Sequence, residues 1–344
     1  MSWLITGGCG FIGSNLADAL LADGEEVVVL DNMSRVGSVS NRDWLRGRYG
    51  QGWRCIEGDT RDAELIAALV CETKPRQIAH LAGQVAMTTS LANPRLDFEV
   101  NVLGTFNVLE AVRLHSPDTQ VMYSSTNKVY GALDYLPYEE TATRYTLPGY
   151  PAGLDESLQL DGHSPYGCSK LAADQYVRDY HRMYGLATVV FRHSSMYGGR
   201  QFATYDQGWV GWFCQQALAM HDPTTPSFTI SGDGKQVRDV LHSSDLIRAY
   251  RNAAQRRELT AGHIYNIGGG MRNSLSLLEL FALLESFTGD PLRFRRIDWR
   301  EGDQKVFVAD ARKAEHELAW VARMTTEDGI RQMLSWCREI THVD

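Results

Sequence analysis

A doubly wound α/β fold on a parallel sheet is what the sequence predicts, and three features predict it. Short apolar runs alternate with stretches of helical period over residues 3–192. A glycine-rich turn, Gly7-Gly8-Cys9-Gly10-Phe11-Ile12-Gly13, stands between the first such run and the first helix. The second run ends in an acidic residue, Asp31. Strands alternating with helices require crossover connections, which give a parallel sheet covered on both faces.

Taken in order, strand-like runs read at Trp3–Thr6, Glu26–Leu30, Trp53–Glu57, Gln77–Leu81, Thr119–Ser124 and Ala187–Arg192. Helical patterns read at Phe11–Ala22, Asp62–Glu72, Pro94–His115 and Tyr166–Tyr184; the last two are long enough to offer a dimer surface as well as a face for the sheet. The stretch Gly131–His163 breaks the rhythm with Pro137, Pro148 and Pro151, and reads as a long functional loop. Past Arg200 the chain turns aromatic and rich in Gly and Pro, then helical at Leu246–Arg256, Leu275–Phe287 and Thr326–Arg338. The expectation is a Rossmann-type doubly wound parallel sheet over residues 1–194 and a smaller mixed α/β C-terminal substrate-binding part over residues 195–344, with the chain free to cross back.

With 344 residues the chain can bury a substantial core. Its formal net charge of −8, with basic residues scattered, argues against a nucleic-acid or membrane-surface partner. Six cysteines show no C-x-x-C pair and no zinc-like spacing with histidine, so no metal site is expected and a reducing compartment is. The first strand begins almost at once, no apolar run approaches the roughly 20 residues that span a bilayer, and a cytoplasmic location is expected.

The chemistry begins at the glycine turn. The spacing Gly7, Gly10, Gly13 permits a sharp turn, a close approach of backbone to a pyrophosphate, and tight packing of helix on strand. The helix start adds free N–H groups and the positive end of a dipole. Asp31 would accept hydrogen bonds from a ribose and repel a 2′-phosphate, which favours NAD over NADP. Farther on, Tyr166 and Lys170 are four residues apart and share one helix face. An ammonium beside a phenol favours the phenolate, so Tyr166 is expected to be lowered toward the working range as a general base for a hydroxyl proton. Thr126, at the end of a strand, would align that hydroxyl.

Together these residues resemble the extended short-chain dehydrogenase/reductase superfamily, its sugar-nucleotide epimerases and dehydratases. The likeness runs through Thr6–Gly13, Asp31, Gly58-Asp59, His80–Gln84, Asn101–Thr105, Ser125-Thr126, Tyr166 with Lys170, Arg238–His242 and the string Arg300-Glu301-Gly302-Asp303-Gln304. It implies an NAD site made by Gly7, Gly10, Phe11, Ile12, Gly13, Asp31, Asn32, Ser34, Arg35, Asp59, Thr60, Leu81, Ala82, Gln84, Asn101, Ser124, Tyr166, Lys170 and His193. It also implies nucleotide-sugar contacts from Gln84, Thr126, Asn127, His193, Ser195, Arg200, Arg238 and Arg300, the last two clamping a diphosphate.

Two departures are informative. Where 4,6-dehydratases of that family carry an Asp-Glu pair, this chain has Asn127-Lys128, so dehydration loses its acid and base. Ser195 stands where the family usually has asparagine. The strings Gly83–Ser90, Ser124–Gly131, His163–Lys170 and Phe191–Phe213 look like an epimerase of the family. The resemblance thus implies an NAD-dependent nucleotide-sugar epimerase, a homodimer or homotetramer. A 4-epimerase of a UDP-sugar and a non-catalytic NAD-sensing or scaffold protein are the alternatives left open.

Overall fold

The computed structural model describes residues 1–300 and 302–341. Seven strands form the central sheet: β1 (Ser2–Thr6), β2 (Glu26–Asp31), β3 (Arg54–Glu57), β4 (Gln77–His80), β5 (Gln120–Thr126), β6 (Thr188–His193) and β7 (His263–Ile267). They lie in the order β7-β6-β5-β4-β1-β2-β3, and every pairing is parallel. The chain steps outward from β1 to β3 and then returns to the other side of β1 at β4. That reversal leaves a crevice beyond the carboxyl ends of β1 and β4, where an α/β sheet of this kind binds ligands.

Strand alternation divides the core into two layers. Ile5, Val29, Met122, Phe191 and Tyr265 face Leu16 and Leu20 of the helix Phe11–Ala22, together with Leu246 and Tyr250 of the helix Ser243–Gln255. Leu4, Val28, Ile78, Val121 and Val190 face the helices Ala63–Thr73, Gly104–His115 and Ser164–Tyr184 through Ile66, Val70, Val108, Val112 and Val177. The return of the chain at β7 and the helix before it brings residues 243–267 back onto the central sheet. The rest of the C-terminal part has its own aromatic core, in which Phe213, Phe228, Phe281 and Phe294 pack together.

The structure differs from the sequence reading in five places. The helices Ser38–Tyr49 and Met87–Ala92 and the strand β7 have no counterpart in that reading. The expected helix 94–115 is interrupted by a π turn at Glu99–Leu103, which carries Asn101. The segment 131–163, expected as a functional loop, lines neither of the two clefts described below. It folds instead around Leu133, Leu136, Leu147 and Leu154, packed against Val306–Ala309.

A buried ion pair joins these parts. Arg192 on β6 holds Asp174 of the helix Ser164–Tyr184 through two hydrogen bonds of 2.9 Å, and both side chains are almost fully enclosed. Asp174 also accepts from Ser125 (2.8 Å), and Arg192 donates to the Tyr130 hydroxyl (3.0 Å). Tyr130 donates in turn to Asn266 on β7 (2.7 Å), whose amide holds the Leu154 carbonyl (2.9 Å). Removing one partner of such a pair strands a charge in a dry interior. Arg192→Met should therefore lower stability by about 3–5 kcal/mol in denaturant unfolding, and adding Asp174→Asn to it should recover part of the loss.

Candidate active site

The glycine turn opens a cleft of about 500 Å³ at the crevice. Gly7 has φ of +70° and Gly13 packs against the Gly7 carbonyl; a Cβ on either would sit 2.7 Å from Ala82 N or 2.3 Å from Gly7 O. Gly10 caps the helix Phe11–Ala22 without any side-chain hydrogen bond, so the first-turn N–H groups of that helix remain available to an anion. Asp31, at the end of β2, accepts from Cys9 N and Met33 N at 2.9 Å each, and burial pushes its carboxyl up from the ordinary value. Asn32 donates to Asp59 (2.8 Å) and takes both the N–H and the hydroxyl of Ser34. Burial would raise Asp59, but its hydrogen bonds with Arg61 and Asn32 carry it down to about 2. Phosphate-facing N–H groups at one end and a carboxylate with paired polar groups at the other are the donor set a dinucleotide requires, so the residues fit NAD.

A second cleft of about 270 Å³ adjoins the first, with Val85 lining both. Tyr166 lines it, beside the Thr126 hydroxyl. Its far wall is aromatic: Trp209, Trp212 and Phe213 come from one helix, and Trp209 Nε1 donates to Ser195 Oγ (3.1 Å). Its floor is charged. Asp303 Oδ1 takes Arg238 at 2.7 Å and Lys128 at 3.2 Å, and although burial alone would raise this carboxyl, the two cations hold it below its ordinary value. Arg300 donates to Ser231 Oγ (3.3 Å) and stands over the Tyr205 ring, holding that phenol below its usual range.

The phenol and the ammonium differ from expectation. Burial pushes Tyr166 up to about 12; Thr126 opposes this and Asp97 adds to it. Burial also pulls Lys170 down to about 7, against the attraction of Asp97 and Asp174. Lys170 donates to the Ser124 carbonyl and lies 4.4 Å from the centre of the Tyr123 ring, so its charge is spent beneath the strand end. In the protein alone the phenol is not poised as a base, because desolvation outweighs the Thr126 hydrogen bond.

The structure brings Gly7, Gly10, Phe11, Ile12, Gly13, Asp31, Asn32, Ser34, Arg35, Asp59, Thr60, Leu81, Ala82, Gln84 and Ser124 to the first cleft. Asn127, Ser195, Arg238 and Arg300 line the second. Five expected residues stand elsewhere; one of them, Thr126, is buried beside Tyr166 and lines neither cleft. Arg200, read as a substrate contact, lies in the dinucleotide cleft, its guanidinium between the rings of Trp44 and Trp336 at 4.4 and 4.3 Å. Lys170 stands behind Ser124. Asn101 is buried behind the wall, where it exchanges hydrogen bonds with the Gln84 backbone (both 3.0 Å). His193 is buried too, between Ser124 Oγ (3.2 Å) and the Tyr250 hydroxyl (3.4 Å). Gln84 reaches the first cleft, yet its side chain is fully engaged with Ala86 and Asp97. Glu301, inside a motif string, lies outside the described residues.

The aromatic wall, Asp303 and Gln304 stand in the sequence only as parts of motif strings, with no role of their own. The spacing Trp209, Trp212, Phe213 places three rings on one helix face, a signal available from the sequence. Gln304 gives no such signal. Its role comes from a contact across the chain: its amide donates to the carbonyls of Gly131 (2.7 Å) and Asn127 (3.3 Å) and accepts from Asn127 Nδ2 (2.8 Å).

Known proteins share this fold. The model of the family described as GDP-mannose 4,6 dehydratase matches residues 4–333. A CDP-paratose 2-epimerase of Salmonella typhi is 53% identical over 340 residues, covering 99% of this chain and 100% of the relative. Among solved structures, UDP-glucuronic acid 4-epimerase from Bacillus cereus, in complex with UDP-glucuronic acid and NAD, superposes with a TM-score of 0.84 at 25% identity, covering 99% of this chain and 100% of that one. UDP-glucose 4-epimerase of Thermus thermophilus, in complex with NAD, gives 0.79 at 28% identity over 98% and 99% of the two chains.

The buried histidines make the site sensitive to acid. Burial pulls His80 and His193 down to about 3 from an ordinary 6.5, with Lys170 adding to the effect. Below about 6.5 the unfolded chain takes up protons that these rings refuse in the folded state, so stability falls as pH drops toward 3. One such ring costs about 1.4 kcal/mol at one pH unit below its ordinary value. Urea unfolding at pH 7.5 and 5.5 should show this fall, and His193→Gln should make it smaller by roughly that amount.

Proposed function

The chain belongs to the family described as GDP-mannose 4,6 dehydratase, and on that premise we propose that it is an NAD-dependent epimerase that converts CDP-paratose to CDP-tyvelose by inverting C2 of the sugar. One observation carries the reading: Tyr166, with the Thr126 hydroxyl beside it, lines a charged, aromatic-walled cleft that adjoins the dinucleotide cleft, in a chain 53% identical end to end to a CDP-paratose 2-epimerase. NAD, when bound, supplies the acceptor and donor of a hydride and a positive charge beside the phenol.

The residues of the chain do the rest. Tyr166 takes the proton of the C2 hydroxyl, which Thr126 aligns, and returns it once C2 is reduced from the opposite face. Lys170 fixes the Ser124 strand end. Arg238 and Arg300 hold the diphosphate while the 2-keto sugar turns. The aromatic wall gives the turning ring a smooth, apolar face. Since proton and hydride both return to the substrate, no outside redox partner is consumed.

A UDP-sugar 4-epimerase on the same scaffold is the second reading. The superposed 4-epimerases support it, at 25% and 28% identity against 53%. We further propose a homodimer or homotetramer, supported by exposed Phe106, Leu114, Tyr176, Met183 and Tyr184 on two long helices. A cytoplasmic location is supported by the free thiols of Cys9, Cys55, Cys71, Cys168 and Cys214, and among the described residues no helix is long and apolar enough to cross a membrane.

NMR of the products should show CDP-tyvelose formed from CDP-paratose, without deuterium from the solvent at C2; inversion at C4 of a UDP-sugar alone would select the second reading. Tyr166→Phe should lose at least about a hundredfold in kcat and still purify with its NAD. Full activity in that variant would remove the phenol from the mechanism.

A further inference from the structure

Lys128 has no part in the reaction as just described, yet it lines the second cleft. An ammonium has three N–H donors. Two protein acceptors face this one, Asp303 Oδ1 at 3.2 Å and the Gly302 carbonyl at 3.3 Å, both long for a charge-assisted bond of about 2.7–2.9 Å. The same carboxylate oxygen lies closer to Arg238, at 2.7 Å. Lys128 is thus a largely enclosed cation, its side chain 19% exposed, that shares its counter-ion and keeps a donor in reserve. Burial lowers its pKa from the ordinary value, as expected of an ammonium short of acceptors.

Its place in the cleft is also specific. On one side, two residues back along the chain, is Thr126 with Tyr166 beside it. On the other are Arg238 and Arg300, close enough for their charges to act on it. The backbone on either side is pinned, because Gln304 holds the carbonyls of Asn127 and Gly131. A ligand with its reacting alcohol at Tyr166 and its diphosphate at the arginines lays its sugar across this ammonium.

We propose that Lys128 is a specificity-determining residue that donates its unfilled N–H to an oxygen of the sugar and not to the diphosphate. This rests on the nucleotide-sugar reading above. An oxygen at that point completes the coordination of a buried cation, whereas a sugar lacking it leaves the cation short, and such a difference discriminates between substrates.

The test is calorimetric titration of the NAD-loaded protein with CDP and with CDP-paratose, or with UDP and UDP-glucose if the wild type binds that pair instead. Lys128→Met and Lys128→Gln should bind the nucleoside diphosphate within about threefold of wild type but the nucleotide sugar at least about tenfold more weakly, with kcat/KM falling in step. Lys128→Arg should recover part of the loss. Equal losses for both ligands would make Lys128 a diphosphate anchor, and no loss for either would make it a counter-ion of Asp303; each result overturns the proposal. Two variants guard against a folding failure in one. A wild type that binds a nucleotide sugar without converting it would defeat the proposed activity, while the binding ratio would still judge Lys128.

Discussion

The carboxylate of Asp174 is the constraint on which the rest of the structure depends. It is fully enclosed, and a network from four elements converges on it: Arg192 on β6 and Ser125 on β5 bond it directly, the Tyr130 turn is joined to it through Arg192, and Asn266 on β7 through Tyr130. Burying a carboxylate and a guanidinium is costly, and an apolar replacement of similar volume is often as stable. What the charged network adds is definition. Ser125 is bound on one side of Thr126 and Tyr130 on the other, so the segment carrying Thr126, Asn127 and Lys128 has little freedom. Asp174 lies one helical turn beyond Lys170, and its charge helps to offset the burial of that ammonium.

A second buried network works on the opposite side of the crevice. Asp97, Ser169, Asn101 and Gln84 bond to one another, joining the helix of Tyr166 to the π turn and to the loop after β4. The π turn makes this possible. An uninterrupted α-helix would turn residue 101 through a different angle, away from the Gln84 backbone. The loop after β4, which lines the first cleft, is therefore held by polar bonds from behind. Asn101 belongs to this network and His193 to a separate one with Ser124 and Tyr250, which is why these residues, expected at a ligand, are found buried.

How much was legible depended on the range of the signal. The glycine turn, Asp31 and the helix Phe11–Ala22 are local, and the structure places them where the sequence does. The helix Ser38–Tyr49 is largely polar and has glycine at both ends, so its period is faint. Strand β7 has only five residues and follows a helix read as part of another unit, so its return to the sheet is a matter of topology. In the second cleft, residues 85, 127, 166, 195, 238 and 303 meet, and no spacing along the chain announces that. The Tyr166 expectation erred for a related reason. Four residues on a helix fix a common face, but the pKa follows from burial, which the sequence does not state.

That error clarifies the chemistry. A phenol held near 12 and an ammonium near 7 are each pushed toward neutrality by the same loss of water. A base already ionised in the protein alone would need solvent or a closer cation at the crevice. This site has instead a neutral phenol, a hydroxyl beside it and a dry wall behind. In the mechanism proposed above, its ionisation is conditional on the positive charge of what binds in the adjoining cleft, which ties proton removal to the presence of a hydride acceptor. In that mechanism the desolvation that makes Tyr166 a poor base on its own defers proton removal until the hydride acceptor is in place.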